Sequence, residues 1–388
     1  MQHPLPLVVF SHLRWDFVFQ RPQHLLSRIA ARRRVLFIEE PIPDSTPARW
    51  EPSEPAAGVH VFSPHTPARS PGFSEEQLPI LRGMVRDLMR QERATGGIAW
   101  LYTPLALPLL DVVRPAATVY DCMDELSLFL HAPPHLLARE EALLRRADVV
   151  FTGGPSLFQA KRERHANIHC FPSSVDAGHF RAARGEPADQ AALPHPRLGF
   201  YGVIDERIDL AVIGALADRH PEWQIVMVGP VVKIDPATLP RRANIHWLGQ
   251  RSYGELPDYL AGWDLCLLPF ARNDATRFIS PTKTLEYMAR ERPIVSTPIT
   301  DVAVPYRDIV YLGESPPEFV AACEAALESS VTERARRALA MRQVLARTSW
   351  DATAAAMERL IEEACNRKEL RSTCHPMQLP GAGRPLSS

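Results

Sequence analysis

Two neighbouring segments decide the fold: Leu265-Cys-Leu-Leu-Pro-Phe270 and, after a loop, Ser280-Pro-Thr-Lys-Thr-Leu-Glu-Tyr-Met-Ala289. The first is a short apolar run, which predicts a buried strand. In the second, Ser280 stands where an N-cap belongs and Pro281 at the first helical position, which predicts a helix start. Strand, loop and helix in this order form one unit of a doubly wound α/β sheet, where ligands bind beyond the carboxyl ends of the strands.

The predicted helix carries residue types that bind ligands. N–H groups in a first helical turn suit a phosphate, and Lys283 in that turn opposes the helix dipole unless an anion is bound. Glu286 lies three residues further on the same face, where its carboxylate can accept hydrogen bonds from vicinal hydroxyls. We therefore expect Ser280, Pro281, Thr282, Lys283 and Glu286 to form a binding segment. The alternative is a capped surface helix with an exposed lysine and glutamate.

Strand and helix patterns alternate along the whole chain, which predicts an α/β fold with two Rossmann-like, doubly wound domains that face a cleft. Residues 1–182 form the first domain, and 183–196, which lack apolar periodicity, form a linker. The second domain spans 197–350. An amphipathic helix follows at 351–366, and the polar residues 367–388 are expected to be disordered.

The composition is that of an ordinary folded protein: 46% of the 388 residues are hydrophobic, 23% are charged, and the formal net charge is −1. This charge balance argues against a nucleic-acid partner. The six cysteines form no CxxC pair, so we expect no metal site or disulfide framework. No leader peptide or membrane span is expected, which predicts a cytoplasmic protein whose contact with a membrane, if any, is peripheral.

Two stretches of the first domain follow predicted strands and should face the cleft. The loop after the first strand contains aromatic and charged residues that suit a saccharide, namely His12, Arg14, Trp15 and Arg21. Its structural alternative is a loop whose tryptophan packs beneath the next helix. The second stretch delivers Asp121 and Asp124, either of which could be a general base or, alternatively, a helix cap. No GxGxxG motif follows the first strand, which argues against a dinucleotide-binding oxidoreductase.

The block Glu286-Tyr-Met-Ala-Arg-Glu-Arg-Pro-Ile-Val resembles the E-A-M-A-x-G-x-P-V-V block of the group 1, or GT4-like, glycosyltransferases of GT-B fold. The resemblance covers about residues 195–365 and includes three strand ends with glycine, at Gly202, Gly229 and Gly249. It implies that these glycines, Arg207 and the 280–286 segment bind a nucleotide-sugar donor. It also implies that the final helix crosses back to the first domain.

Two positions depart from the family pattern. Phe278 stands where the family has the first glutamate of its E-x7-E motif, which contacts the donor sugar, and Val203 replaces an arginine near the phosphates. Retention and inversion are both left open, since the family favours retention and an Asp121 base favours inversion.

The resemblance implies a metal-independent hexosyltransferase without a cofactor, because no D-x-D metal motif occurs. Its expected partners are a nucleotide-sugar donor and a saccharide or lipid-linked acceptor of the kind used for exopolysaccharides or teichuronic acids. The arginines of the helix predicted at Glu75–Arg93 could contact anionic lipids, although a solvated face is the simpler interpretation. A sugar-nucleotide epimerase and a non-catalytic nucleotide-sugar-binding protein are the alternatives.

Overall fold

The computed structural model describes residues 4–373, with side chains to residue 370, and contains two sheets. The first has eight strands in the order β3-β4-β2-β1-β5-β6-β7-β8. All neighbours are parallel except the antiparallel pair β3 and β4. The strands are β1 (Leu7–Phe10), β2 (Val35–Ile38), β3 (Arg49–Ala56), β4 (Val59–His65), β5 (Ile98–Leu101), β6 (Ala117–Cys122), β7 (Val149–Thr152) and β8 (Ile168–Cys170).

The second sheet has six parallel strands in the order β11-β10-β9-β12-β13-β14. They are β9 (Arg197–Tyr201), β10 (Gln224–Val228), β11 (Ile245–Gly249), β12 (Leu265–Leu268), β13 (Ile294–Ser296) and β14 (Tyr311–Leu312). The two α/β sheets predicted from the sequence are thus confirmed.

Helices cover both faces of each sheet, as parallel strands require. In the first domain and linker they are α1 (Arg21–Ile29), α2 (Leu78–Gln91), α3 (Leu110–Val113), α4 (Leu136–Arg146), α5 (Pro155–Lys161), α6 (Ala177–Arg181) and α7 (Ala188–Ala191). The remaining ones are α8 (Leu210–Arg219), α9 (Leu256–Ala261), α10 (Lys283–Ala289), α11 (Thr300–Ala303), α12 (Pro316–Leu327), α13 (Val331–Leu345) and α14 (Trp350–Thr373). None of the helices in the described part of the chain is long and apolar enough to cross a membrane.

The hydrophobic core lies on both faces of the first sheet, because the side chains of each strand alternate between these faces. Val8 and Phe10 of β1 point to the side covered by α2 and α4, whereas Leu7 and Val9 point to the side covered by α1 and α14. Successive side chains of a strand alternate between its faces, so a fully apolar strand such as β1 must be covered on both. A single larger cluster fills the second domain.

Strand β3 was not predicted, because nothing in Arg49–Ala56 alternates between apolar and polar residues. It is an exposed edge strand that includes Pro52 and Pro55, and proline is tolerated in a sheet mainly at such edges. Similarly, residues 183–196 contain the short helix α7, so the predicted linker is partly helical.

The last helix returns to the first domain, where α14 packs against α1. Ion pairs join the two helices: Arg28 lies 2.7 Å from Asp351, and Arg33 lies 3.4 Å from Glu358. The helix was expected to end at residue 366 and to be followed by a disordered tail, yet it runs to Thr373. Residues 374–388 of the predicted tail lie outside the described part.

The second domain also contacts the first across the cleft. The backbone N–H of Ser156, at the start of α5, donates a hydrogen bond of 3.0 Å to the carboxylate of Asp301 in α11. The Ser173 hydroxyl donates to the Ser280 carbonyl at 3.2 Å. The segment predicted to bind a ligand is therefore attached to the opposite domain.

Replacing Gly199 with alanine should destabilise the second domain. Gly199 lies in the central strand β9, and a β-carbon there would lie only 1.9 Å from the ring of the buried Trp263. We expect a loss of at least about 1–3 kcal/mol in the free energy of unfolding, measured by urea denaturation, since overpacking of this kind displaces core groups.

Gly214→Ala is the matched control. Gly214 lies inside α8, and a β-carbon there would meet no atom closer than 3.9 Å. Alanine should stabilise this helix by about 0.5–1 kcal/mol. Equal effects of the two substitutions would contradict the packing described here.

Candidate active site

A pocket lies between the domains, beyond the carboxyl ends of the strands. The space between the domains measures about 1260 Å³, a volume that includes its open mouth. Of the predicted residues, those that line it are Arg21, Asp124, Gly202, Arg207, Gly229, Ser280, Pro281, Thr282, Lys283 and Glu286. His12, Arg14, Trp15, Asp121 and Gly249 do not line it, although Gln250, the neighbour of Gly249, does.

The predicted start of the binding helix is wrong by two residues. Helix α10 begins at Lys283, and Ser280 does not cap it. A turn precedes the helix, in which the N–H of Thr284 donates to the carbonyl of Pro281 at 3.3 Å. Because the Ser280 carbonyl is bonded to Ser173 of the first domain, this residue belongs to the domain contact rather than to the helix cap.

Lys283 brings an unpaired cation into the pocket. Its ammonium has no hydrogen bond or ion pair with any residue in the described ranges, and it lies 5.5 Å from the centre of the Phe200 ring. Burial lowers the pKa of Lys283 from 10.5 to about 8. Lys283 is half-buried, and a largely desolvated cation that makes no ion pair is costly, so this position favours an anionic ligand.

The backbone around Lys283 is built from two glycines. A β-carbon at Gly202 would lie 2.1 Å from Cε of Lys283, and one at Gly229 would lie 1.9 Å from the Gly202 carbonyl oxygen. Both glycines also have positive φ angles, of +137° and +148°. Only glycine therefore permits the lysine to reach across the two strand ends.

Glu286 supplies a carboxylate beside this cation. The Tyr201 hydroxyl donates a 2.7 Å hydrogen bond to its Oε2, whereas Oε1 accepts none from the part of the chain that the structure describes. The side chain is only 6% exposed, and burial raises the pKa of Glu286 from 4.5 to about 7. These two residues do not form the solvated helix face of the alternative interpretation.

Arg207 is oriented by its neighbour. Its guanidinium makes a bidentate ion pair with Asp205, with the closest contact at 2.7 Å. It also lies over the Phe129 ring of the first domain, 5.4 Å from the ring centre. Asp205 thus fixes a second cation at the edge of the pocket.

The two candidate aspartates have different surroundings. Asp121 is fully buried in a bidentate ion pair with Arg21, at 2.9 and 3.0 Å, and does not reach the pocket. Asp124 lines the pocket, and its carboxylate has no hydrogen bond or ion pair within the described residues. Burial raises the pKa of Asp124, an effect that Arg207 and Arg21 oppose. The geometry favours Asp124 as the carboxylate that can meet a ligand.

The first half of the loop after β1 folds away from the pocket, whereas Val18, Phe19 and Gln20 line it. Arg14 pairs with Glu39 at 2.9 Å, and the N–H of Trp15 donates to the same carboxylate at 2.7 Å. The Trp15 ring packs edge-on against Phe37, 5.2 Å between centres. His12 is placed nearby with its Nδ1 buried, and burial lowers its pKa from 6.5 to about 4. Glu39, at the end of β2, draws the loop towards its own strand.

Phe278 has a structural position. It packs against the core of the first domain, on the cluster that contains Val8 and Phe10, and it does not line the pocket. The position that departs from the family pattern therefore contributes a contact between the domains.

Several lining residues were not predicted. They include Tyr201, Phe19, Gln250 and Tyr253. Tyr201 directly precedes Gly202 at the end of a strand, a position that could have indicated it. The other three follow no motif, and only the tertiary structure brings them to the pocket.

Comparisons with known proteins agree with this architecture. The sequence profile of the family described as "Glycosyl transferases group 1" matches residues 196–329. TuaH of Bacillus subtilis, a glycosyltransferase assigned to teichuronic acid biosynthesis, is 25% identical over 334 residues, or 72% of this chain and 82% of TuaH.

Solved structures show the same fold. Sucrose-phosphate synthase from Thermosynechococcus elongatus superposes with a TM-score of 0.71 at 16% identity, over 94% of this chain and 100% of that one. Anabaena HepE, in complex with UDP and glucose, superposes with a TM-score of 0.68 at 13% identity, over 92% and 100%. These findings favour glycosyl transfer over the epimerase and binding-protein alternatives. The chain therefore has the GT-B fold of these structures, and its second domain is similar to the group 1 glycosyltransferases.

Proposed function

We propose that this protein is a glycosyltransferase that moves a hexose from a nucleotide-diphosphate sugar to a saccharide or lipid-linked saccharide acceptor in cell-surface polysaccharide synthesis. The observation that carries the proposal is the pair of Lys283 and Glu286, which lie one helical turn apart in the interdomain pocket. Lys283 is a cation without an ion pair, and Glu286 is a carboxylate of which only Oε2 accepts a hydrogen bond from the described residues. The relatives support it, because TuaH is named for teichuronic acid synthesis and HepE was solved with UDP and glucose.

The donor site divides into two parts. Oε1 of Glu286 is free to accept hydrogen bonds from ribose hydroxyls, while Tyr201 holds Oε2. Lys283 and Arg207 face the same space and supply positive charge for the diphosphate. Such fixed charges stabilise a leaving diphosphate as negative charge develops on it. We therefore propose a reaction that needs neither a metal ion nor a cofactor.

We assign the general base to Asp124. Its carboxylate is the unpaired acid that the first domain contributes to the pocket, and its raised pKa makes it a better proton acceptor once ionised. Asp121, held by Arg21, keeps the strand end and Arg21 in place instead.

The proposal includes a cytoplasmic location and peripheral contact with a membrane when the acceptor is lipid-linked. Arg82 and Arg86 of α2 are exposed and could contact anionic headgroups, whereas Arg90, also exposed, pairs with Asp87.

Donor affinity should be highest between about pH 7 and pH 8. Binding needs Glu286 ionised and Lys283 protonated, so affinity should fall below the pKa near 7 and above the pKa near 8. The measurement is calorimetric titration with UDP-glucose, whose doubly esterified diphosphate does not titrate in this range.

Two variants test which residue causes each decline in the pH profile of donor affinity. Glu286→Gln should weaken binding and remove the decline at acidic pH, and Lys283→Met should weaken it and remove the decline at alkaline pH. Glu163→Gln, a change at a side chain that is 87% exposed, is the control and should keep the wild-type profile. Wild-type affinity in both site variants would refute the donor site.

Asp124→Asn should lower kcat by about 10²–10⁴-fold with little change in donor affinity, because it removes a base and leaves the donor contacts intact. Transfer is measured with purified protein in excess EDTA, and NMR of the product reports the anomeric configuration. Full activity of the variant would exclude the assignment, and loss of wild-type activity in EDTA would exclude a metal-independent reaction.

Asp121→Ala provides the contrast. Loss of this carboxylate leaves the Arg21 charge buried and unpaired, so the free energy of unfolding should fall by about 3–5 kcal/mol, whereas Asp124→Asn should leave it nearly unchanged. Urea denaturation of both variants measures the difference. An Asp121→Ala protein of wild-type stability would contradict the structural role.

A further inference from the structure

Tyr253 presents an unsatisfied hydroxyl at the donor pocket. Its side chain lines the pocket, and its hydroxyl oxygen is buried without a hydrogen-bond partner among the residues described. Burial raises the pKa of Tyr253, and the negative charges of Glu286 and Asp176 raise it further. The hydroxyl therefore keeps its proton and lies close enough to Glu286 to feel its charge. A buried hydroxyl without a partner is unfavourable unless a ligand supplies one.

The ring of Tyr253 is held on both sides. Phe19 of the first domain stacks at 4.4 Å with an angle of 20°, and His179 stacks at 4.3 Å with an angle of 10°. Nε2 of His179 also lies 3.0 Å from the Tyr253 carbonyl oxygen. The edges of Phe180 and His24 contact the same ring. The hydroxyl is thereby fixed in direction before any ligand arrives, as a preorganised binding group should be.

Tyr253 and Glu286 both line the pocket, and each has a polar atom without a hydrogen-bond partner among the described residues. Oε1 of Glu286 is an acceptor without a donor, and the Tyr253 hydroxyl is a donor without an acceptor. They do not bond to each other. A ligand hydroxyl between them would donate to the carboxylate and accept from the phenol, satisfying both. A pair of vicinal hydroxyls is the group that suits such an arrangement.

We infer that Tyr253 is a further donor-binding residue, whose hydroxyl donates a hydrogen bond to a ribose hydroxyl that Glu286 accepts. The inference rests on the proposed function, since it requires a ribonucleotide in the pocket. This hydrogen bond would make the site select ribose over a deoxyribose that lacks the hydroxyl bound by Tyr253.

The stacking of Phe19 on Tyr253 joins the two domains. Phe19 comes from the first domain and Tyr253 from the second, so the stack that orients the phenol is complete only when the domains are closed on each other.

The test compares Tyr253→Phe with the wild type. The variant keeps the ring and its stacking, so the fold and melting temperature should not change. Binding of UDP-glucose should weaken by about threefold to tenfold, the usual effect of one hydrogen bond between neutral groups. Tyr311→Phe, which removes a hydroxyl from a partly exposed tyrosine elsewhere in the same domain, is the matched control and should bind as the wild type does.

Deoxy analogues distinguish a direct contact from a structural effect. The wild type should lose more than this factor with either 2′-deoxy- or 3′-deoxy-UDP-glucose, because the missing hydroxyl also donates to Glu286. The loss that Tyr253→Phe shows with that analogue should be smaller than the wild-type loss by about threefold to tenfold. Equal affinity of Tyr253→Phe and the wild type for UDP-glucose, or an unchanged loss with both analogues, would overturn the inference and leave the proposed function standing. If the wild type binds neither UDP-glucose nor GDP-mannose, both the inference and the proposed function fail.

Discussion

The site depends on the close passage of the Lys283 side chain over Gly202. No other residue at 202 leaves room for it, since a β-carbon would lie 2.1 Å from Cε, and Gly229 is required in turn because it touches the Gly202 carbonyl. Two strand ends and one helix thus surround a cation that makes no ion pair with the described residues. Its depressed pKa and the raised pKa of Glu286 have the same cause, namely removal from water in the absence of a ligand.

The first domain completes the site mainly by contacts between the domains. Phe278 packs on its core, Ser173 and Ser156 bond to Ser280 and Asp301, and Phe19 stacks on Tyr253. Of the groups predicted on this side, Asp124 and Arg21 reach the pocket. The first domain therefore determines whether the donor site is fully formed, in addition to presenting the acceptor.

The two sheets and the binding segment could be predicted because buried parallel strands are continuous apolar runs and the 280–289 block has recognisable residue types. The helix start at 283 and the extent of α14 could not, because they depend on contacts with Ser173 and with α1, far away in the chain. Edge strand β3 has no apolar period to detect. Asp121 and Asp124 are three residues apart, and only the position of Arg21 distinguishes a buried ion pair from a free carboxylate.

The return of α14 to the first domain means that the chain passes between the domains twice, once through the 183–196 linker and once just before Trp350. Two such connections leave mainly one relative movement, a rotation about the line that joins them, and oppose twisting or sliding of one domain over the other. A donor would then enter and a diphosphate would leave at the edge of the cleft farthest from that line. The ion pairs of Arg28 and Arg33 with α14 keep one end of the axis fixed to the first domain.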